Sequence, residues 1–328
     1  MYEMESLAME SSLLELVVTN FQSEAKDTVV LELQHPQKQL LPRFSAGSHL
    51  EVYLANGLIR HYSLLNCSSE MHRYVIAVGL ANEGRGGSQY IHHNIRVGDT
   101  LKVSHPRNNF PLLAAEEYCF IAGGIGITPI LSMIHWCIKN HKKWRLIYAL
   151  RHKQRASFYE DLIQRAPNNI QFHFNDENEQ QHLNIEDLVK SLTENEHVYC
   201  CGPNAMMQSV QQATQHLPTE RVHFEWFSAP IWDDSKIQTT DSFTLKLKHS
   251  GKEIQVMADQ SILDALEQEG FELPFSCRAG ICRTCETTVC SGTPDHQDMI
   301  LSDEERAENK TILICVSRAK SQIIELDL

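Results

Sequence analysis

The sequence predicts a multidomain protein with an antiparallel β-barrel first, an α/β domain built on a parallel sheet second, and a small α+β domain last. Evenly spaced short strands predict the barrel, alternating strands and helices predict the parallel sheet, and closely spaced cysteines mark the last domain. At 328 residues, the chain is also longer than one hydrophobic core usually supports. The expected segments are an N-terminal tail at 1–12, the barrel at 13–113, the α/β domain at 114–228, a linker at 229–241 and the last domain at 242–328.

The first domain contains β-like stretches separated by turns with Asn, Gly or Pro: LLELVVTNF, TVVLELQ, HLEVYL, HYSLLN, RYVIAVGL and DTLKVSHP. Their regular spacing indicates a small antiparallel barrel. Two of its segments have the chemistry of an anion site. Arg60 offers a guanidinium, and the turn Gly84-Arg85-Gly86-Gly87-Ser88 offers backbone N–H groups and the Ser88 hydroxyl to a phosphate. Each segment alone is also explained as an ordinary strand or turn.

In the second domain, β-like stretches alternate with helical ones. The strands are YCFIAG, RLIYALR, IQFHF and HVYCCG, and helices are predicted at 129–139, around SFYEDLIQRA and NIEDLVKSL, and at 204–216. This alternation is typical of βαβ units, in which a crossover helix makes consecutive strands parallel. The segment therefore predicts a parallel sheet.

Two glycine-containing turns each end a strand of this domain and begin a helix. The first includes Gly124, Gly126 and Thr128, and the second is Cys201-Gly202-Pro203. Glycine lets the backbone approach a pyrophosphate, which the N-terminus of a helix attracts. The first turn lacks the G-x-G-x-x-G pattern, and no acidic residue ends the next strand, so this turn alone is weak evidence for a nucleotide. Together the turns are expected at the carboxyl edge of one sheet, where ligands bind.

Four cysteines of the last domain have the spacing C-x4-C-x2-C followed by a distant fourth, which is typical of plant-type [2Fe-2S] ferredoxins. They are Cys277, Cys282, Cys285 and Cys315. Gly280 lets the loop fold closely around a cluster. Structural zinc is a poorer interpretation because it prefers two C-x2-C pairs or mixtures of Cys and His. The spacing therefore predicts an electron carrier.

Composition argues against several partners. The formal net charge is −13, and no stripe of Lys and Arg suggests a nucleic-acid surface. No apolar stretch approaches the ~18 residues of a membrane span. The acidic N-terminus lacks the basic start of a signal peptide, so a cytoplasmic location is expected.

Taken in order, the motifs resemble those of the phthalate dioxygenase reductase family, across nearly the whole chain. The resemblance rests on Arg60-x-Tyr62-Ser63, the turn at 84–88, the two glycine turns and the C-terminal cysteines. Within that family the chain looks similar to the reductases of vanillate demethylases and carnitine monooxygenases. The family implies a barrel that binds FMN rather than FAD, a nucleotide domain for NADH, with NADPH as the alternative, and a ferredoxin domain with a [2Fe-2S] cluster.

The resemblance also implies a role for individual residues. Tyr62 is expected on the flavin ring and Ser63 near its N5 edge, while Phe227 covers the flavin, with Trp226 as the alternative. The flavin phosphate is expected at Arg60, Gly86, Gly87 and Ser88. The dinucleotide pyrophosphate is expected at Gly124, Gly126 and Thr128, and its nicotinamide at Cys201, Gly202 and Pro203. The expected cluster ligands are Cys277, Cys282, Cys285 and Cys315.

These cofactors imply the reductase component of a two-component Rieske-type oxygenase or demethylase. NADH gives up two electrons as a hydride and the cluster accepts one, whereas a flavin can exchange either number, so no acid or base residue is required. Electron transfer from a plant-type cluster at about −400 mV to a Rieske centre at about −150 mV or above is downhill. The alternatives are a general flavin or quinone reductase, and an iron-sulfur redox sensor, which has no use for two nucleotide sites. NADH is the expected donor, although Arg151, Lys153 and Arg155 follow the second strand, where a 2′-phosphate could bind.

Overall fold

The computed structural model describes residues 13–81, 84–177, 182–228 and 241–328. The chain divides into two compact units, Met1–Phe227 and Ser228–Leu328. The predicted tail at 1–12, and all of the predicted linker except Asp241, lie outside the described residues. Among the described residues, no helix combines the length and apolar character needed to cross a membrane.

The first sheet of the larger unit has six antiparallel strands. They are β1 (Leu14–Ala25), β2 (Thr28–Gln34), β3 (His49–Tyr53), β4 (Ile59–Ser63), β5 (Tyr74–Gly79) and β6 (Thr100–Val103), in the order β4-β3-β6-β1-β2-β5. A bridge between Leu64 and Ile76 joins the end of β4 to the other edge strand, β5, so the sheet closes on itself. Side chains such as Leu16, Leu31 and Leu50 are fully buried inside it. The predicted antiparallel barrel is confirmed.

A helix that the sequence did not predict, α1 (Gly87–Asn94), follows the glycine turn of the barrel. Gly86, the residue before its first turn, is in the left-handed conformation at φ 79°, and the first turn has no acidic residue. Two glycines at a helix start disfavour helix formation, and they hid this element from the sequence pattern. The turn thus continues into a helix N-terminus, which favours an anion.

The second sheet of this unit is parallel throughout. Its strands are β7 (Glu117–Gly123), β8 (Lys143–Leu150), β9 (Ile170–Phe174), β10 (Glu196–Cys201) and β11 (Val222–Glu225), in the order β11-β10-β7-β8-β9. The helices are α2 (Ile127–Lys139), α3 (Tyr159–Arg165), α4 (Ile185–Lys190) and α5 (Asn204–Ala213), with short 3₁₀ turns at Gly124–Gly126, Lys153–Arg155, Pro167–Asn169 and Thr219–Arg221. Helix α2 begins two residues before the predicted start, and α5 ends three residues before the predicted end.

The smaller unit has a mixed five-stranded sheet. Its strands are β12 (Phe243–Leu247), β13 (Glu253–Val256), β14 (Glu286–Ser291), β16 (Thr311–Leu313) and β18 (Ile323–Leu326), in the order β13-β12-β18-β14-β16, while β15 (Pro294–Asp295) pairs with β17 (Arg318–Ala319). Helices α6 (Ile262–Gln268) and α7 (Asp303–Glu308) complete it. Each helix begins with a serine, Ser261 or Ser302, whose hydroxyl accepts a backbone N–H. This unit has the predicted α+β fold.

Candidate cofactor sites

Arg60 lies on strand β4, against the first residues of helix α1. Its guanidinium donates to the carbonyls of Ile59 and Arg85, each at 2.8 Å. A Cβ added to Gly87 would lie 2.5 Å from Arg60 Nε, so the arginine passes directly over the helix N-terminus. The Ser88 hydroxyl, in turn, accepts the N–H of Ala81 at 3.1 Å, which ties the two ends of the turn together.

The electrostatics of this turn suit an anion. Burial, and then the nearby charge of Arg85, lower the pKa of Arg60. A phosphate here would relieve the repulsion between the two arginines and complement the α1 N-terminus. The residues therefore fit the phosphate of FMN, and their role in binding it remains a prediction.

Tyr62 and Ser63 follow Arg60 on the same strand. Tyr62 packs partly buried against the barrel core, and burial raises its pKa. Ser63 is buried, with 5% of its surface exposed, and its hydroxyl donates to the carboxyl group of Glu225 at the end of β11. This hydrogen bond joins the barrel to the second sheet at the predicted edge of the flavin.

Glu225 is not among the site residues that the sequence predicts. The residue is only half-buried, yet its carboxyl is shielded, and Oε2 has no hydrogen-bond partner among the described residues. Burial raises the pKa of Glu225 to about 8, and the hydrogen bond from Ser63 opposes that rise. Glu225 also acts electrostatically on Cys201, the predicted nicotinamide neighbour. A single glutamate within His223-Phe-Glu-Trp-Phe227 gave no pattern by which to find it.

The two candidate aromatic residues after β11 differ in exposure. Trp226 packs against an apolar cluster beside the parallel sheet, with its ring 6.3 Å from that of Phe224. Phe227 is 44% exposed. Phe227 is the more exposed of the two, which favours its choice as the residue that covers the flavin.

The two glycine turns pack against each other at the carboxyl edge of the parallel sheet, as predicted. Strands β7 and β10 are neighbours, and Ala122 pairs with Cys201 at their ends. A Cβ on Gly126 would lie 2.2 Å from the carbonyl oxygen of Cys201, and one on Gly202 would lie 2.9 Å from Cα of Gly123. Because these contacts are with backbone atoms, only glycine allows the turns to approach so closely.

A cavity of about 440 Å³ opens at this edge. Its lining includes Gly123 and Gly124 of the first turn, Pro203 of the second, and Arg151 and Arg155 after strand β8. Gly124 has φ 54°, and a Cβ there would meet no atom within 4 Å, so its backbone is open to a ligand. The cavity lies at the edge of the sheet where the dinucleotide is predicted to bind.

Other predicted residues near this cavity have protein partners. The Thr128 hydroxyl is buried and donates to the carbonyl of Ile125 at 3.0 Å, so it also closes the turn. Arg155 forms an ion pair with Asp27 at 2.5 Å, and Lys153 lies over the ring of Tyr159 at 4.5 Å. Of the basic run, Arg151 and Arg155 therefore line the cavity, while Lys153 faces Tyr159.

The cysteine loop of the smaller unit gathers the predicted cluster ligands. Cys315 interacts with the side chains of both Cys277 and Cys285, and the backbone N–H of Gly280 also points to it. The N–H of Ala279 donates to Cys277 Sγ at 3.3 Å. Cys282, Cys285 and Cys315 are buried, whereas Cys277 is half-buried. Backbone donors aimed at thiol sulfurs are the environment that a thiolate-bound cluster requires.

The loop has an unusual backbone. Gly280 has φ 67°, and a Cβ there would lie 2.7 Å from Val316 Cγ2 and 2.9 Å from Cα of Asp298. Arg278 and Arg283 also have positive φ, at 49° and 61°. Each arginine is held by carboxylates, which secures these strained turns of the loop.

Within the described residues, no three His, Cys, Asp or Glu side chains lie close enough to hold one metal ion. A [2Fe-2S] cluster does not require such a group, because its four thiolates are divided between two irons. The four cysteines fit a two-iron cluster, and their assignment as its ligands remains a prediction.

Comparison with known families identifies two of the domains. Residues 120–212 match a family described as an oxidoreductase NAD-binding domain, and residues 245–320 match one described as a 2Fe-2S iron-sulfur cluster binding domain. Fold and sites therefore define a pyridine-nucleotide-dependent iron-sulfur oxidoreductase, as the sequence predicted.

Full-length relatives share this organisation. Tetrachlorobenzoquinone reductase of Sphingobium chlorophenolicum is 41% identical, over 97% of this chain and 98% of its own. Phthalate dioxygenase reductase of Burkholderia cepacia is 38% identical, over 97% and 98%. A solved structure of phthalate dioxygenase reductase, described as modular for electron transfer from pyridine nucleotides to [2Fe-2S], matches with a TM-score of 0.72, over 98% of this chain and 99% of that one.

The chain belongs to the phthalate dioxygenase reductase family, which confirms the predicted resemblance and fold class. FMN, NADH and a [2Fe-2S] cluster, the predicted cofactors, are the cofactor set of phthalate dioxygenase reductase. A type IV self-sufficient cytochrome P450 monooxygenase also matches, with 33% identity and a TM-score of 0.87 over 96% of this chain, which spans 41% of that larger protein.

Proposed function

We propose that this protein is the reductase component of a two-component oxygenase or demethylase. It takes a hydride from NADH onto FMN and passes single electrons through its [2Fe-2S] cluster to a Rieske-type terminal oxygenase. The names of relatives support the oxygenase partner: vanillate O-demethylase oxidoreductase of Acinetobacter baylyi is 42% identical over 88% of this chain. A cytoplasmic location is part of the same proposal.

The observation that carries the proposal is that Glu225, which pairs with Cys201 between strands β10 and β11, also meets Ser63 of the barrel. Ser63 ends strand β4 of the barrel, and Cys201 ends strand β10 of the parallel sheet. Ser63 is expected near flavin N5, and Cys201 is expected near the nicotinamide. Bringing the two rings together is what hydride transfer requires of the protein.

The chain's own residues then position the reactants. Arg60, Gly86, Gly87 and Ser88 hold the flavin phosphate, Tyr62 packs on the ring, and Phe227 covers it. Gly124, Gly126 and Thr128 shape the pyrophosphate turn, and Cys201, Gly202 and Pro203 form the wall beside the nicotinamide. Flavin supplies the conversion between two-electron and one-electron transfer. Because Glu225 is shielded from water, it holds its proton at neutral pH beside the Ser63 hydroxyl.

An anaerobic titration of the purified protein with NADH tests this proposal. We expect uptake of about three electrons per chain, two by the flavin and one by the cluster, with FMN released on denaturation and an EPR signal from a reduced [2Fe-2S] cluster. Absence of flavin, or a cluster that NADH cannot reduce, would contradict it.

A quinone reductase is the second candidate function. Tetrachlorobenzoquinone reductase matches the chain over nearly all of both lengths, and this match is the observation that favours the second candidate. Comparing electron-transfer rates to purified Rieske oxygenases and to substituted benzoquinones distinguishes the two. Saturable transfer to an oxygenase at rates above those for quinones supports the first candidate.

The nucleotide preference is also part of the proposal. We propose NADH, although Arg151 and Arg155 line the cavity where the dinucleotide is expected. The positive charge of Arg155 is already paired with Asp27. Comparing kcat/KM for NADH with kcat/KM for NADPH tests this choice, and a more than tenfold preference for NADPH would reverse it.

A further inference from the structure

Behind the cysteine loop, one buried and two partly buried polar side chains lie together with incomplete hydrogen bonding. They are His296, Asp298 and Arg306. The Asp298 side chain is fully buried, His296 is 8% exposed and Arg306 is 34% exposed. Among the described residues, Oδ2 of Asp298, both ring nitrogens of His296 and Nε of Arg306 have no hydrogen-bond partner. Buried polar atoms without partners cost stability, so they call for an explanation.

The Asp298 carboxylate organises the segment that supports the loop. Its Oδ1 accepts the N–H groups of Ile300 at 3.1 Å and Leu301 at 2.9 Å, and lies 3.6 Å from Arg306 Nη2. The same Arg306 nitrogen donates to the Asp298 carbonyl at 2.5 Å. The buried carboxyl group is therefore held by two backbone N–H groups and lies close to one guanidinium.

The segment around Asp298 is in direct contact with the cysteine loop. The N–H of Met299 donates to the carbonyl of Gly280 at 2.9 Å. A Cβ on Gly280 would lie 2.9 Å from Cα of Asp298, so the two backbones touch. The charge of Asp298 also acts on Arg283, which lies between Cys282 and Cys285. The buried carboxyl group of Asp298 therefore lies next to the loop that carries the predicted cluster ligands.

We propose that Asp298 is a positioning residue for the [2Fe-2S] cluster and that its charge lowers the reduction potential of that cluster. The inference rests on the proposed function, in which the four cysteines hold the cluster. Reduction adds one electron, and a nearby buried carboxylate opposes it because charges interact strongly where water is excluded. Net charge and burial are among the factors that set the potential of such clusters. The positive charge of Arg306 raises the reduction potential of the cluster.

Two variants of the full-length protein separate charge from structure. Asp298→Asn keeps an oxygen for the two backbone N–H groups and removes the negative charge, whereas Arg306→Gln removes the positive charge. In an anaerobic redox titration followed by EPR, we expect Asp298→Asn to raise the ratio of reduced to oxidised cluster at a fixed potential by threefold to tenfold. A tenfold change corresponds to about 59 mV for a one-electron couple. Arg306→Gln should lower the ratio.

Asp303→Asn is the matched control, because Asp303 is exposed at the start of α7 in the same part of the chain. It should leave the ratio within twofold of wild type. Asp298→Ala, which also removes the acceptor of the two N–H groups, should shorten cluster lifetime in the presence of an iron chelator several-fold more than Asp298→Asn. Loss of loop packing alone would shift the ratio of reduced to oxidised cluster in the same direction in Asp298→Asn and in Arg306→Gln. The proposal requires opposite shifts in the two variants.

The outcomes are distinct from those that test the proposed function. A wild-type protein without a [2Fe-2S] spectrum would overturn the proposed function and this inference with it. A normal cluster whose potential is unchanged in Asp298→Asn, or changed equally in Asp303→Asn, would overturn this inference alone.

Discussion

The hydroxyl of Ser63 hydrogen-bonds the shielded carboxyl of Glu225, and so connects the barrel strand that carries the flavin motif to the edge strand of the parallel sheet. Ser63 belongs to a motif visible in the sequence, and Glu225 does not. Their contact makes the predicted flavin and nicotinamide sites neighbours within one compact unit. Several measurable properties depend on this contact and on the glycine and cysteine turns.

Glu225→Gln should make the protein more stable than wild type at high pH. Burial raises the Glu225 pKa from 4.5 to about 8, so the unfolded chain loses this proton at lower pH than the folded one. The contribution of protonated Glu225 to the free energy of unfolding is fully present below about pH 4.5, and it is lost as the pH rises through about 8. We expect a difference of about 2 kcal/mol or more in unfolding free energy at pH 9 and little at pH 4.5. Urea denaturation across this pH range measures the difference, and Glu220→Gln, at an exposed glutamate, is the control. Identical denaturation curves for wild type and Glu225→Gln at all pH values would contradict a buried, neutral Glu225.

Arg60→Ala should weaken FMN binding far more than riboflavin binding. A charge-assisted hydrogen bond to phosphate contributes about 1.5–3 kcal/mol, or about 10- to 100-fold in Kd. Riboflavin lacks the phosphate, so its Kd should change little. Fluorescence titration of the apoprotein with each flavin measures both values, and Arg43→Ala, at an exposed arginine, is the control. Equal losses for both flavins would show that Arg60 serves the barrel and not the phosphate.

Gly126→Ala should destabilise the protein and raise KM for NADH. The added methyl group would lie 2.2 Å from the Cys201 carbonyl oxygen, so one of the two turns must move. Such overpacking costs about 1–3 kcal/mol. Thermal unfolding and steady-state kinetics test this, with Gly79→Ala as control because its new Cβ would meet its nearest atom at an ordinary 3.4 Å. A Gly126→Ala protein with wild-type Tm and KM would mean that the turns do not pack as described.

Cys315→Ser should abolish the [2Fe-2S] spectrum while leaving reduction of bound flavin by NADH within about twofold of wild type. The flavin and nucleotide residues lie in the other compact unit, so hydride transfer does not need the cluster. Transfer to one-electron protein acceptors should be lost. Cys290→Ser, at an exposed cysteine, should keep cluster and transfer intact. A full cluster in Cys315→Ser would remove Cys315 from the ligand set.

Local patterns explain why the fold class was predictable. Period-two strands, strand-helix alternation and glycine turns are encoded within short segments, because side-chain periodicity and backbone freedom are local properties. Element ends were less predictable. Helix α1 was missed since it starts with two glycines, and α5 ends three residues before the predicted end at residue 216. Here capping and packing, more than propensity, decide where a helix stops.

By itself, the sequence determined the three kinds of domain, the two glycine turns and the cysteine spacing, because each depends on residues that are neighbours along the chain. Only the tertiary structure decided that Glu225 meets Ser63 and that Asp298 supports Gly280. A lone carboxylate gives no periodic signal, and its role comes from burial and from partners far away in sequence. Desolvation raises the pKa of Glu225, and two backbone N–H groups bind the carboxyl group of Asp298. Both effects exist only once the chain has folded.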